Sequence, residues 1–297
     1  MRVLLSGAGG MLGTAFKSAL ETDSHIELIC IGRAELDATE PGRLFDLVER
    51  AQPAVVLNCA AHTDVEGAEL DPDVAFRANW TLPGLLATAC RRQRALLVHF
   101  SSTGCYGLSK QTPYSEEDRL EPTTVHHRSK ALGETAVRET GCEFLILRTG
   151  WLFGGQPGHA KNFVWKRLIE ARSSSRMISQ ASQVGNPTFV GDIAQLTLRL
   201  TKTGLRGIYN CVSRGSASRF EYVRRIVQTA GLPCVVEPTT TPFRRLAQVS
   251  PNEAAVNYRL TQLGMNSMPE WENAVDAYVA ALMKTKEWTM NSASASI

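Results

Sequence analysis

The sequence lacks the features of a disulfide-bonded, membrane-spanning or nucleic-acid-binding chain. Its seven cysteines occur singly, without a CxxC pair or zinc-ligand spacing, so we expect buried reduced thiols and no metal site. No apolar run approaches the length of a membrane span, and a strand pattern at the N-terminus leads us to expect no signal peptide. The net charge is only +3, and the scattered basic residues are not interleaved with aromatics, which argues against nucleic-acid binding. We therefore expect a cytoplasmic protein.

The remaining composition is that of an ordinary soluble globular protein, with 43% hydrophobic and 21% charged residues among 297. Apolar strand patterns alternate with helical patterns, and no internal repeat is present. This alternation predicts an α/β fold with a doubly wound parallel sheet of the Rossmann type. We expect residues 1–154 to form a dinucleotide-binding domain and residues 155–284 mainly a smaller α/β substrate-binding subdomain, some segments of which return to the first domain. The Ser-rich residues 285–297 predict a flexible tail.

A glycine-rich turn follows the first predicted strand, which includes Val3 to Leu5. Three glycines stand three residues apart where this strand would turn into an apolar helix. The first glycine allows a tight turn, the second lets backbone N–H groups approach a diphosphate, and the third lets the helix pack closely on the sheet. The simpler alternative is a glycine-rich turn that binds nothing. The predicted cofactor-binding residues of this turn are Gly7, Gly10, Met11, Leu12 and Gly13.

The end of the second predicted strand, residues 25–31, bears on the choice of cofactor. In NAD-binding units an acidic side chain near this point holds the ribose 2′-hydroxyl, whereas an arginine accommodates a 2′-phosphate. Here the strand is followed by Arg33 and by no acid at its end. We therefore predict NADPH, with NADH possible, and expect Asp37 to contribute near the adenosine. The alternative is that Arg33 is a solvated surface side chain.

A third strand pattern over residues 54–61 is apolar on both faces, as a parallel sheet covered by helices requires. It ends in Ala60 and Ala61. These small residues would let the backbone lie against a dinucleotide, so we predict that both contact the cofactor.

A possible catalytic group lies between a later strand, residues 95–100, and the helix that begins near Thr124. Ser102 follows the strand, and His126 stands four residues before Lys130 on the helix. This arrangement resembles short-chain dehydrogenases/reductases of the extended type, which use a Ser or Thr, a Tyr and a Lys, the last two four residues apart on one helix face. The resemblance implies that Ser102 polarises a carbonyl and that Lys130 binds the cofactor ribose. His126 would occupy the position of the tyrosine.

The histidine in the tyrosine position leaves three hypotheses open. His126 could be the proton donor, although an imidazole has a reference pKa of about 6.5 against about 10 for a phenol, and a neighbouring lysine lowers it further. His127 or a water could relay the proton. Alternatively, redox chemistry could be lost, which would leave a nucleotide-binding protein.

Further motifs occur along nearly the whole chain: the glycine turn, 33–39, 58–69, 113–116, 129–134, 148–151, 162–164, 183–188, Asp192 and 207–209. Together they resemble the dTDP-4-dehydrorhamnose reductase branch of these extended reductases. The resemblance implies reduction of the 4-keto group of a sugar nucleotide with NAD(P)H, a small-molecule partner, and a possible homodimer. It also implies a sugar pocket, to which we assign His62, Val65, Thr103, Gly104 and Trp151.

The departures from the family pattern fall around the expected sugar pocket. The family usually has T-D-Y-V-F where this chain has Ser102 to Tyr106, and His62 stands where a tyrosine is usual. A different keto sugar or a related keto metabolite is therefore an equal candidate for the substrate. A non-catalytic nucleotide-binding or regulatory protein and a sugar-nucleotide epimerase stay open as alternatives.

Overall fold

The computed structural model describes residues 1–32 and 35–293, with side chains described as far as residue 289. The strands are β1 (Arg2–Ser6), β2 (Glu27–Ile31), β3 (Val55–Asn58), β4 (Leu96–Ser102), β5 (Phe144–Thr149), β6 (Trp151–Phe153), β7 (Arg176–Gln180), β8 (Val184–Gly185), β9 (Pro187–Phe189), β10 (Gly207–Cys211), β11 (Ala217–Ser218) and β12 (Val235–Thr239). The α-helices are α1 (Met11–Leu20), α2 (Pro41–Ala51), α3 (Val65–Leu70), α4 (Pro72–Phe76), α5 (Leu82–Gln93), α6 (Val125–Glu139), α7 (Phe163–Ser173), α8 (Val190–Lys202), α9 (Arg219–Thr229), α10 (Tyr258–Gln262), α11 (Trp271–Leu282) and α12 (Lys286–Ala293).

Six strands form one parallel sheet in the order β2-β1-β3-β4-β5-β10. Successive side chains of a strand point to opposite faces of a sheet. Val3 and Leu5 accordingly pack in one apolar core, and Leu4 packs in the other. Both faces are therefore covered, as continuous apolar strands require. The prediction of a doubly wound α/β sheet is confirmed.

The second half of the chain adds three short strand pairs and several helices. The pairs are β6 with β9, β7 with β12, and β8 with β11. A separate apolar core joins α7, α9 and α11, with Phe153, Tyr222 and Tyr278 at its centre. Strand β10 returns to the large sheet beside β5. The second half of the chain therefore contributes residues both to the core of the large sheet and to this separate core.

The long helix predicted over residues 72–93 is present with those bounds, and it contains a π-helical turn, Arg77–Thr81, between α4 and α5. Within the predicted tail, residues 285–297, the described part is helical over Lys286–Ala293, where Trp288 packs against Trp165 and beneath the Arg172 guanidinium. Burial of a large aromatic ring outweighs the polar composition of this segment.

Within the described residues, no helix combines the length and the apolar character needed to cross a bilayer.

Candidate active site

The turn between β1 and α1 depends on close backbone approaches. Gly7 has a φ of +68°, and a Cβ there would lie 2.7 Å from the Ala60 backbone nitrogen. A Cβ on Gly13 would lie 2.1 Å from the Gly7 carbonyl oxygen. By contrast, a Cβ on Gly9 would meet nothing within 4 Å. The turn is thus tightly packed at Gly7 and Gly13 and open at Gly9, the form of a cradle for a phosphate group at a helix N-terminus.

The carboxyl end of β3 is fixed beside this turn by buried polar side chains. The Ser6 hydroxyl donates to the Asn58 side-chain oxygen at 2.7 Å and accepts from the Ala60 backbone N–H at 3.2 Å. The Asn58 amide in turn lies 3.1 Å from His99 Nδ1 on β4. These contacts join three adjacent strands where the order of the sheet changes direction, the usual ligand crevice of such folds. Ala60 and Ala61 both lie at this edge.

Lys130 connects α6 to the end of β4. Its buried ammonium donates to the Phe100 carbonyl oxygen at 2.8 Å, which leaves two of its three protons for other acceptors. Burial lowers the pKa of Lys130 to about 8, although Cys105, Cys59 and Glu134 nearby raise it. Lys130 is therefore close to Cys59, the residue that packs against Gly7.

His126 is buried one turn before Lys130 and is held in its uncharged form. Burial, together with His127, Lys130 and His62, lowers its pKa well below 6.5, and a hydrogen bond to the His62 backbone only partly opposes this. Its Nδ1 atom is buried without a hydrogen-bond partner. At neutral pH the ring therefore has one N–H donor and one unused acceptor.

His127 fills the space that the absent side chain of Gly104 leaves. A Cβ on Gly104 would lie 2.2 Å from His127 Nε2. The other ring nitrogen, Nδ1, lies 3.1 Å from the hydroxyl of Thr124, the residue that caps α6. The Cys105 thiol donates to the His127 carbonyl oxygen at 3.4 Å. The first turn of α6 is thereby packed onto the end of β4.

Ser102 and Thr103 form the corner at the end of β4. The half-buried Ser102 hydroxyl accepts a hydrogen bond from the Gly104 backbone N–H at 3.2 Å, while Thr103 is buried at the start of the short turn. Ser102, His126 and Lys130 thus belong to the two segments that the Lys130 and His127 contacts bring together. The hydroxyl proton of Ser102 is free to point to an acceptor.

The model of one known family, the RmlD substrate binding domain, matches residues 1–284. The chain belongs to this family. A dTDP-4-dehydrorhamnose reductase of Mycobacterium tuberculosis is 32% identical over 287 residues, covering 94% of this chain and 93% of the relative. The resemblance inferred from the motifs is confirmed.

Solved structures agree with the RmlD-family assignment. A dTDP-4-dehydrorhamnose reductase of Clostridium acetobutylicum aligns with a TM-score of 0.90 and 28% identity, covering 95% of this chain and 100% of that one. A dTDP-4-dehydrorhamnose reductase of Bacillus anthracis in complex with NADP aligns with a TM-score of 0.89 and 27% identity, covering 94% and 99%.

In this RmlD-family chain the π-helical turn holds the segment that follows β3. Asn79 accepts from the His62 backbone N–H at 2.9 Å and donates to the His62 carbonyl oxygen at 3.0 Å. The same amide donates to Ser129 Oγ at 3.0 Å, and Ser129 donates to the His126 carbonyl oxygen at 2.7 Å. The sequence analysis missed Asn79 as a positioning residue, because it stood inside an apparently continuous helix.

The adenosine end of the predicted cofactor site is only partly described. Asp37 is exposed, and its carboxylate accepts from the Thr39 backbone N–H at 2.8 Å and from the Thr39 hydroxyl at 2.7 Å. The Thr39 hydroxyl is the main cause of the lowered pKa of Asp37. Asp37 therefore stabilises a local turn. Arg33 lies outside the described residues.

Two predicted pocket residues have distinct surroundings. Val65 is half-buried at the first position of α3, next to Glu66. Glu66 accepts from Arg245 Nε at 2.7 Å and from the Leu246 backbone N–H at 2.8 Å, which attaches the segment after β12 to α3. Trp151, on β6, is half-buried and donates through Nε1 to Glu253 Oε2 at 2.6 Å.

Three charged residues near these positions were missed from the sequence: Arg219, Arg245 and Glu253. They lie in distant parts of the chain, and none of them belongs to a recognisable sequence motif. Burial lowers the pKa of His127, while Glu253 raises it and Arg245 lowers it. Glu253 also raises the pKa of Arg219, and Arg245 also lowers it. The second half of the chain therefore places charges beside the start of α6. Among the described residues, no group of three or more His, Cys, Asp or Glu side chains could hold a metal ion.

Proposed function

We propose that this protein reduces the keto group of a 4-keto sugar nucleotide or a related keto metabolite with NADPH. The observation that best supports this proposal is the junction of β4 with α6, where Lys130 contacts the Phe100 carbonyl beside the glycine turn. Membership of the RmlD family, and relatives that are named dTDP-4-dehydrorhamnose reductases, support this proposal.

The residues of the turn fit a dinucleotide. Gly7, Gly10 and Gly13, with Met11 and Leu12, would hold the diphosphate against the N-terminus of α1, because the open side of the turn bears no side chain at Gly9. Ala60 and Ala61 would line the same crevice. Lys130 would donate hydrogen bonds to the ribose through the two N–H groups that it does not use on Phe100. Bound NADPH would supply the hydride.

The chain's own residues would manage the charge that develops on the carbonyl oxygen. Ser102 would donate a hydrogen bond from its hydroxyl to this oxygen and stabilise the negative charge that develops there. His126, when protonated, would donate a proton from Nδ1, the nitrogen that has no partner in the protein, while its other nitrogen keeps the hydrogen bond to the His62 backbone; the ring is then left neutral. Lys130, with a pKa of about 8, is a proton source of suitable strength one helical turn away.

The substrate would lie between the start of α6 and the second half of the chain. His62, Val65, Thr103, Gly104 and Trp151 would line the sugar pocket, and we assign substrate binding mainly to residues 155–284. A homodimer stays a prediction.

Absorbance at 340 nm tests the reaction directly. Purified protein with NADPH and a panel of 4-keto sugar nucleotides should oxidise the cofactor between pH 5 and 8. Protein that binds NADPH but oxidises none of it with any member of the panel would instead be a nucleotide-binding or regulatory protein. Tight retention of NAD through purification, with interconversion of sugar epimers and no net oxidation, would identify an epimerase.

The role of His126 is tested by its pH dependence. If the imidazolium is the acid, kcat/KM should increase as the pH falls from 7 to 5, since the pKa of His126 lies well below 6.5. His126→Tyr should remove this increase and shift the optimum upward, while His126→Phe should reduce kcat by about 100-fold or more. An unchanged rate in His126→Phe would transfer the proton donor to His127 or a water.

The choice of cofactor is tested at Arg33. Arg33→Ala should weaken NADPH binding more than NADH binding, because only NADPH has the 2′-phosphate. Equal losses for the two cofactors would reject the contact with the 2′-phosphate.

A further inference from the structure

Arg219 has a guanidinium group that the described part of the protein leaves without a close counter-ion. It is the first residue of α9, half-buried, and its Cζ atom lies 3.4 Å from the centroid of the Trp151 ring. Nε donates to Gln183 Oε1 at 3.3 Å. No carboxylate of the described residues lies within 4.0 Å of its nitrogens, and neither terminal nitrogen has a protein hydrogen-bond partner there.

The nearby carboxylates are already committed to other groups. Glu253 accepts from Trp151 Nε1 at 2.6 Å, and Glu221 caps α9 by accepting from the Ser218 backbone N–H at 2.7 Å. Burial lowers the pKa of Arg219 to about 10, against an opposing effect of Glu253, so the side chain is charged at neutral pH. A partly desolvated cation with free donors is costly unless an anion completes it.

The position of Arg219 connects it to the site above. Trp151, on which the guanidinium stacks, is a proposed sugar-pocket residue. Glu253 raises the pKa of both Arg219 and His127. Arg219 and His127, at the start of α6, therefore both lie within range of the Glu253 charge. A planar guanidinium with two unused nitrogens is suited to bind two oxygens of one anion.

We propose that Arg219 binds an oxyanion of the substrate, held on the Trp151 ring with its terminal nitrogens directed at the anion. In a sugar nucleotide this oxyanion is either a phosphoryl group of the nucleotide or a carboxylate on the sugar. The inference rests on the proposed function for its substrate class, and it adds a specificity-determining contact that the sequence motifs do not contain.

Binding calorimetry with two matched ligand pairs, in the absence of NADPH, tests this contact. The first pair is dTDP and thymidine, which differ by the diphosphate; the second is UDP-glucuronate and UDP-glucose, which differ by the sugar carboxylate. The wild-type protein should bind the more anionic member of one pair more tightly, by about tenfold to a hundredfold, the value of a charge-assisted hydrogen-bonded pair. Arg219→Gln should remove this difference for the same pair and thereby identify the anion.

Arg224→Gln is the matched control, because Arg224 lies on the same helix, is exposed, and stacks on Phe220 instead of Trp151. It should retain the wild-type preference. The proposal is overturned if the wild-type protein prefers neither anionic ligand, or if Arg219→Gln and Arg224→Gln retain the same preference. Fluorescence titration with NADPH separates this result from failure of the reductase function: cofactor binding and oxidation that persist beside an unchanged preference would contradict only the role of Arg219.

Discussion

The Asn79 side chain and the His62 backbone bond each other in both directions, at 2.9 and 3.0 Å. Asn79 lies in the π-helical turn, where the wider helix allows its amide to reach Ser129 as well. One buried side chain thus links the segment after β3 to the helix that holds His126. Single π-turns inside helices are frequently found at functional sites, and this one has a clear positioning role.

Replacing this amide should loosen the proposed site. Asn79→Ala leaves the His62 N–H and the His62 carbonyl without a partner and removes the hydrogen bond that Ser129 accepts, so we expect a loss of about 1 to 3 kcal/mol in the free energy of unfolding. Urea denaturation measures this loss, and kcat should fall with it because His126 is no longer held in register. Arg77→Ala, an exposed change in the same turn, should have little effect on either quantity. Equal effects of both variants would contradict the positioning role.

The contact between Gly104 and His127 predicts a steric conflict that a second substitution should relieve. Gly104→Ala would place a methyl group 2.2 Å from His127 Nε2 if nothing moved, so the ring must leave Thr124. We expect a loss of about 1 to 3 kcal/mol in unfolding free energy and a weaker affinity for substrate.

The control for this conflict is Gly158→Ala, since a Cβ there meets nothing within 4 Å. In a His127→Ala background, Gly104→Ala should cost much less than in the wild type, and thermal or urea denaturation of the four proteins gives the coupling. Additive losses would mean that the ring and the glycine do not exclude each other.

The lowered pKa of Lys130 predicts a specific dependence of folding stability on pH. Burial lowers its pKa to about 8 in the folded protein, against an ordinary value of 10.5, so between these values the unfolded chain holds the additional proton. The contribution of this group to folding stability is therefore unfavourable below about pH 8 and recovers as the pH increases toward about 10.5.

Urea denaturation of wild type and Lys130→Met at several pH values measures this contribution. The variant should be the more stable protein at pH 7, by up to about 3 kcal/mol, and the difference should diminish by pH 10. Lys166→Met removes an exposed lysine and should show no such pH-dependent difference. A constant difference for Lys130→Met across the range would contradict the lowered pKa.

Much of the fold could be predicted from the sequence because its signals are local. Continuous apolar runs such as Val55–Asn58 predict buried parallel strands, and the glycine turn lies at the end of β1 as expected. The π-helical turn could not be predicted, since it depends on partners of Asn79 that are 17 and 50 residues away in the chain. The packing of Trp288 on Trp165 could not be predicted either, because Trp288 lies in a polar segment far from Trp165 in the sequence.

The candidate site divides in the same way. Ser102, His126 and Lys130 lie in two local segments whose resemblance to extended short-chain reductases indicates them, whereas Arg219 and Glu253 reach Trp151 from segments 68 and 102 residues further along. Their roles depend on how the second half of the chain folds back over the sheet. Spacing along the sequence contains no information about that arrangement.

Beneath the proposed site, a buried ion pair joins α6 to β5. Arg148 Nε donates to Glu134 Oε1 at 2.9 Å and Nη2 donates to Oε2 at 2.7 Å, with side chains only 7% and 3% exposed. Arg148 Nη1 also donates to the Tyr106 hydroxyl at 3.0 Å, and this hydroxyl donates to Asn210 at 2.7 Å. Glu134 follows Lys130 by one helical turn, so the pair fixes the helix that bears the proposed catalytic residues.

Removing one partner of this pair should cost far more than removing a surface pair. Glu134→Gln leaves the Arg148 charge buried without a carboxylate, so we expect a loss of about 3 to 5 kcal/mol in unfolding free energy. Glu143→Gln breaks the exposed pair with Arg206, whose side chains are 64% and 37% exposed, and should cost less than about 1 kcal/mol. Urea denaturation at pH 7 compares the two, and similar losses would contradict the burial argument. Glu134→Gln with Arg148→Met should recover part of the loss, because the unpaired charge is then absent.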